Sequence, residues 1–228
     1  MALKLGYWRA GGLAEPIRML LHVLGQEYEN VEFILPEDWL PVKQKRTEDG
    51  DLFMNLPYLE DGDLLITESG AITYYLCQKF NKDLYGKNTL DTTRVHQING
   101  VLNDLDLAVL DLAFKEGPKE AIGKSIAEGG KGHEMINKLS AYIGDGEKEF
   151  LLGYLTFVDL KLANFIFLCR NIILSFGLED PFAKHPNLLK FTKRIYEHDI
   201  LKGYIGSKNY YPGLDIEVTP WFKEHPLP

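Results

Sequence analysis

The alternation of hydrophobic and polar positions changes period once along the chain, near residue 90. Before that point short strands and helices alternate. Leu3 to Trp8 reads as a strand closed by the Gly11-Gly12 turn. Leu13, Ile17, Leu20, Leu21 and Leu24 then recur at helical spacing, with Gly25 where a C-terminal stop belongs. Tyr28 to Ile34 predicts a second strand and Pro36 to Lys45 a short helix. Tyr58-Leu59 and Leu64 to Thr67 predict two brief strands joined by the turn Glu60-Asp61-Gly62-Asp63, and Ser69 to Phe80 predicts a further helix. The order is β-α-β-α-β-β-α.

Beyond residue 90 the period is helical throughout. Ile98, Leu102, Leu105, Val109 and Leu112 make one stripe. Val158, Leu162, Phe165, Ile166, Cys169, Ile172 and Ile173 make a second, preceded by Thr156-Phe157-Val158-Asp159, in which Thr156 and Asp159 can satisfy the free N–H groups of a first turn. Leu188 to Tyr196 predicts another helix, and Gly129-Gly130-Lys131-Gly132 marks a place where a helix breaks. The tail from Tyr210 is Pro-rich and aromatic, which predicts an extended strap. The pattern therefore gives a mixed α/β domain over residues 1–82, a polar joint at 81–89, and an all-helical domain over residues 90–228.

Composition narrows the function classes. A hydrophobic fraction of 45% over 228 residues supports packed cores without covalent staples. A net charge of -8 argues against a nucleic-acid surface, which needs clustered Lys and Arg. Cys77 and Cys169 form no C-x-x-C pair, so a reducing compartment fits best, and the histidines show no metal-binding spacing. The opening MALKLGYWRA lacks a signal-peptide core, and no apolar run approaches a membrane span. The expectation is a cytoplasmic protein with no membrane, nucleic-acid or metal partner.

Five segments carry a resemblance. Leu5-Gly6-Tyr7-Trp8-Arg9-Ala10-Gly11-Gly12-Leu13-Ala14-Glu15-Pro16-Ile17-Arg18 resembles the opening of cytosolic glutathione transferases, most closely the mu class. Asn55-Leu56-Pro57-Tyr58-Leu59 resembles the family's segment before its third strand, and Thr67-Glu68-Ser69-Gly70-Ala71-Ile72 its carboxylate-binding turn. Leu84-Tyr85-Gly86 is similar to the interdomain exit, and Thr156 to Asp159 to the helix cap of the second domain. The segments come in the family's order and near its spacing.

The resemblance implies a thioredoxin-like N-terminal domain followed by an all-helical one. It implies a homodimeric detoxification enzyme that needs no cofactor and conjugates glutathione, its co-substrate, to hydrophobic electrophiles. Tyr7 is then the catalytic hydroxyl that stabilises the thiolate; by position alone it is an ordinary half-buried aromatic at a strand end. A thiol with a pKa near ~8.5 is mostly protonated at neutral pH, so a donor to the anion helps form the nucleophile. Trp8, Leu13, Trp39, Lys43, Asn55, Leu56, Pro57, Glu68 and Ser69 become the glutathione contacts, with Leu56-Pro57 cis. Without the family, Trp39 and Lys43 read as an exposed i, i+4 pair, and Ser69 as a plain N-cap. The mu-class loop is missing between Phe33 and Trp39, so Lys45 or Arg46 is an alternative to Lys43. Asp106, with Asp104 two residues away, is the acid expected to reach the partner subunit's glutathione, and Phe53 the plug of the dimer. Phe114 and Tyr210 are expected at the electrophile site. A sigma-like prostaglandin isomerase and a non-catalytic carrier or structural protein on the same fold remain alternatives.

Overall fold

In a computed structural model, which describes residues 2–213, Leu3–Trp8 forms β1 and Tyr28–Phe33 forms β2, paired in parallel from Leu3↔Tyr28 to Trp8↔Phe33. Parallel neighbours need a crossover, supplied by α1 (Glu15–Val23), whose Ile17, Met19, Leu20 and Leu21 are fully buried. On the other side of β1, β3 (Tyr58–Asp61) runs antiparallel to it, and β4 (Leu64–Thr67) runs antiparallel to β3. The sheet order is β2-β1-β3-β4. Gly6 lies opposite Tyr58, and a Cβ on it would meet the Tyr58 ring at 2.0 Å. Only glycine leaves room for that ring over the strand.

Two helices complete this unit, α2 (Pro36–Glu48) and α3 (Ser69–Phe80). The Asp38 carboxylate accepts from the Ile34 and Leu35 N–H groups at 3.2 and 3.0 Å and so fixes the start of α2. The helix runs to Glu48, three residues past the Lys45 expected from the sequence.

The remaining helices are α4 (Thr89–Leu105), α5 (Pro118–Ile126), α6 (Lys131–Ile143), α7 (Phe157–Ser175) and α8 (Pro186–Glu197). The capping residues before α7 act as the sequence predicts. The Asp159 carboxylate takes the Thr156 N–H at 2.8 Å and its hydroxyl at 2.7 Å, and its other oxygen takes the Leu151 N–H at 2.7 Å. Burial holds the Asp159 carboxyl up at about 6 against those bonds. The glycine run falls between α5 and α6, where a Cβ on Gly130 would sit 2.2 Å from the Ser125 carbonyl oxygen.

Two features depart from the sequence reading. The stripe from Ile98 to Leu112 is not one regular helix: α4 ends at Leu105, a π-turn follows over Asp106–Leu110, and a 3₁₀ turn over Asp111–Phe114. The apolar residues keep their spacing while the winding changes, which periodicity alone does not register. Among the described residues the chain also divides into two units with one segment returning: the first runs to Lys82 and takes in residues 200–213, and the second covers Asp83–Asp199. The strap expected from Tyr210 lies beyond residue 213 for most of its length, outside the described residues.

Candidate active site

The strand register gathers part of the predicted set, around Tyr7, Pro57 and Ser69, at one end of the sheet. Gly6 stands opposite Tyr58, and Tyr58 opposite Thr67. The end of β1, the start of β3 and the end of β4 are therefore in line. Tyr7 and Trp8 follow Gly6, Asn55, Leu56 and Pro57 precede Tyr58, and Glu68 and Ser69 follow Thr67. On the other flank Trp8 pairs with Phe33, after which the chain enters α2 and its Trp39 and Lys43.

Tyr7 is buried, and its Oη accepts the Leu13 N–H at 3.1 Å. Gly12 makes this approach possible. Its φ of +44° is in the left-handed region, and a Cβ there would stand 2.6 Å from the Tyr7 oxygen. On the far side of the turn a Cβ on Gly11 would meet the Tyr211 carbonyl oxygen at 2.6 Å. The turn is thus packed by backbone on one face and by the phenol on the other. The Leu13 side chain is partly exposed, 39% of its surface open.

The Leu56-Pro57 bond is cis, as the resemblance implies. Glu68, the N-cap of α3, has φ +68°, and it is the only non-glycine residue among those described with a positive φ. Such a conformation costs about 1–2 kcal/mol in a residue with a Cβ and concentrates at binding sites. Nothing in the residue type announces it, because glutamate is a poor left-handed former. Ser69 opens the helix beside it, where free N–H groups and the helix dipole favour an anion.

Trp39 is not an exposed helix residue. It is buried in an aromatic cluster, edge-on to Phe33 with centroids 5.1 Å apart and stacked on Tyr58 at 6.3 Å, with Trp8 and Leu56 packed against the cluster. The three basic candidates on α2 differ in occupation. Lys45 is paired with Asp49 at 2.6 Å, and Arg46 with Glu60. Lys43 makes no ion pair among the described residues.

In the second unit Asp106 is half-buried at the start of the π-turn, while Asp104 is exposed. Burial pushes the Asp106 carboxyl up to about 6, with the buried Lys161 ammonium pulling it back. Lys161 donates to Asn99 Oδ1 at 2.8 Å and also to Asn103. Phe114 is exposed at the end of the 3₁₀ turn. In the first unit Tyr210 is half-buried with its ring 5.8 Å from that of Tyr204, and burial holds its hydroxyl up at about 12. Phe53 is 85% exposed, next to an exposed Leu52.

The sequence reading singled out neither Glu15, Arg18 and Tyr204 nor Lys161. Glu15, Arg18 and His22 lie on one face of α1 at i, i+3 and i+7, which resembles a solvated stripe. Yet Glu15 and Arg18 are fully buried. The available signal was that α1 carries apolar residues on its remaining faces, so a polar stripe there had little water left to meet.

Among the described residues no group of three or more His, Cys, Asp or Glu could hold a metal ion, and no helix is long and apolar enough to cross a membrane. Residues 3–78 match the family model for the glutathione S-transferase N-terminal domain, and residues 103–208 the model for the C-terminal domain. Among curated relatives, glutathione S-transferase Mu 2 of Macaca fuscata fuscata is 31% identical over 93% of this chain and 94% of its own length. Glutathione S-transferase Mu 1 of Bos taurus is 30% identical over 97% and 99%. Among solved structures, the glutathione S-transferase of Ascaris lumbricoides superposes with a TM-score of 0.74 at 25% identity, covering 93% of this chain and all of that one. A C. elegans transferase reaches 0.75 at 22% identity over 92% of this chain and 99% of that one, which speaks for the fold. With both domain models matched and mu-class relatives along nearly its whole length, the chain belongs to the glutathione S-transferase family and is of the mu-like kind.

Proposed function

We propose that this transferase activates the thiol of glutathione with Tyr7 and adds the thiolate to hydrophobic electrophiles. The observation that carries the reading is the Leu13 N–H on the Tyr7 oxygen at 3.1 Å. A phenol has one O–H to donate, and a backbone donor on its oxygen polarises that O–H and strengthens it toward an anion. Stabilising the thiolate lowers the thiol's pKa, so more nucleophile is present at neutral pH.

The rest of the tripeptide follows from the end of the sheet where Tyr7 sits. The backbone of Leu56, preceded by Asn55 and followed by Pro57, would pair with the cysteinyl segment. Glu68 and Ser69 at the head of α3 would receive the γ-glutamyl end. Lys43, without an ion pair among the described residues, is the better holder of the glycyl carboxylate than Lys45 or Arg46, with Trp39 fixing the wall beside it. Trp8 and Leu13 line the thiol. The family uses glutathione as co-substrate and needs no cofactor. A two-fold dimer is part of the proposal, with Phe53 as the plug and an acid at Asp106 or Asp104 reaching the partner's glutathione. Phe114 and Tyr210 belong to the electrophile end of the reading, and the cytoplasm is its compartment. The isomerase and carrier alternatives are not favoured, since the Macaca fuscata fuscata and Bos taurus relatives, matched along nearly the whole chain, are mu-class transferases.

The test is conjugation of glutathione to a generic aryl halide, with ultraviolet titration of the bound thiol. Wild type should turn over and show thiolate at neutral pH. Tyr7→Phe should lose on the order of 100-fold in kcat/KM and raise the thiol's pKa. A Tyr7→Phe protein with wild-type rate and thiol pKa defeats the mechanism.

A further inference from the structure

Behind the Gly11-Gly12 turn lies a buried charged cluster that the thiol chemistry does not touch. Glu15 and Arg18 have no exposed surface. Arg18 Nη1 stands 3.2 Å from Glu15 Oε2 and donates to the Ala10 carbonyl at 2.8 Å. The Tyr204 hydroxyl donates to Glu15 Oε1 at 2.5 Å, and the Tyr211 N–H reaches Glu15 Oε2 at 3.4 Å. The Arg18 guanidinium lies 4.2 Å over the Tyr211 ring, whose hydroxyl is held by Asn30 and Glu32.

Several bonds of this cluster and of its neighbours end on the turn. The Glu15 N–H bonds the Gly11 carbonyl at 2.9 Å, and the Gly11 N–H bonds the Gly213 carbonyl at 2.8 Å. Arg18 holds Ala10. Two residues past Gly11, the Leu13 N–H rests on the Tyr7 oxygen. Removing two charges from water is costly, and apolar side chains would fill the same volume at lower cost. What the cluster supplies instead is directional: fixed bonds to the carbonyls and N–H groups of a turn whose next donor faces the phenol. Burial holds the Glu15 carboxyl up at about 7 while Arg18, Tyr204 and Tyr211 pull it down, so each of those donors matters to its charge.

We propose that Glu15 and Tyr204 are positioning residues for thiolate formation: they tie the segment that returns after Ile200 to the Gly11-Gly12 turn, and so hold the Leu13 N–H on the Tyr7 oxygen. The inference rests on the reading of Tyr7 as the donor to the thiolate. It assigns a function in the first unit to Tyr204, a residue far along the chain from Tyr7.

The experiment is ultraviolet titration of the glutathione thiol bound to wild type, Tyr204→Phe, Glu15→Gln, Tyr7→Phe and the double variant Tyr7→Phe/Tyr204→Phe. Tyr204→Phe removes one oxygen and should fold even if Glu15→Gln does not. It should raise the bound thiol's pKa by about half a unit and leave the dissociation constant of glutathione, measured well below that pKa, unchanged. In the Tyr7→Phe background the same change should produce no further shift, because it acts through the phenol. Two results overturn the inference while leaving Tyr7 in its role: a Tyr204→Phe thiol that titrates as wild type, or equal shifts in both backgrounds. A Tyr7→Phe thiol that titrates as wild type removes the reading of Tyr7 and this inference together.

Discussion

Gly12→Ala separates the backbone cost of the turn from its effect on chemistry. With φ at +44°, any Cβ at this position costs about 1–2 kcal/mol of stability. The methyl group would also stand 2.6 Å from Tyr7 Oη, 3.0 Å from Cε1 and 3.2 Å from Cζ. Unstrained contacts between non-bonded heavy atoms are about 3.5 Å, so ring or turn must move by roughly an ångström. Such a shift opens the Leu13–Tyr7 hydrogen bond, and displacement of this size can cost ~100-fold in rate. Gly25 supplies the control. Its φ is +63°, and nothing lies within 4 Å of the Cβ it would carry. Gly25→Ala therefore bears the same backbone cost without touching the phenol. Thermal unfolding should show both variants down by a few degrees, since ~1 kcal/mol shifts Tm by about 2–4 °C in a chain of this size. Conjugation kinetics should show kcat/KM down ~10–100-fold for Gly12→Ala alone. Equal kcat/KM in the two variants would refute the claim that room beside the Tyr7 oxygen is why Gly12 is glycine.

Three further outcomes are expected. Lys43→Ala should raise KM for glutathione about tenfold with little change in kcat, whereas Lys45→Ala, whose ammonium is already paired with Asp49, should leave both unchanged; the steady-state kinetics of the two variants decide it. Asp159→Ala orphans the buried Thr156 and Leu151 N–H groups and should cost about 3 kcal/mol by denaturant unfolding at pH 7. Because burial raises this carboxyl from 3.8 to about 6, its proton favours the fold: that contribution is full below 3.8 and is lost as pH rises through about 6, so the deficit of the variant should be larger at pH 4 than at pH 7. Phe53→Ala should weaken self-association in sedimentation, given an aromatic ring 85% exposed in a loop; a dimer as tight as wild type would show that the ring has no partner surface.

The elements were legible where local signals mark them. The short apolar runs of β1 to β4, bounded by turn residues, and the Thr156–Asp159 cap appear in the structure at or near the expected residues. The change of winding at Asp106 was not legible, because a π-turn and an α-turn bury nearly the same residues. The return of the chain after Ile200 was equally hidden. It depends on Tyr204 and Tyr211 meeting Glu15 across nearly two hundred residues, and no local period encodes such a pairing.

The proposed glutathione end of the site was legible only in part, and the reason is physical. Tyr7, Trp39, Lys43 and Ser69 offer side chains, whose chemistry can be read from their letters. Much of what the proposal assigns to glutathione is main chain: the Leu13 N–H behind the phenol, the peptide at Leu56 and the N-terminal amides of α3 behind a glutamate at φ +68°. A backbone donor is the same at every residue except proline, so the sequence can signal it only through what its geometry demands. Gly12 is such a signal, since its own Cβ would collide with Tyr7. Glu68 gives none, because its residue type disfavours the conformation it holds. A conformation against type persists only where surrounding structure enforces it, so Glu68→Gly should relieve strain and stabilise the fold by about 1 kcal/mol in denaturant unfolding. If Glu68 is held there to receive the γ-glutamyl end, the same variant should bind glutathione more weakly, measured by calorimetry. A variant that is both more stable and equally tight in binding would show that the strain at Glu68 serves no ligand.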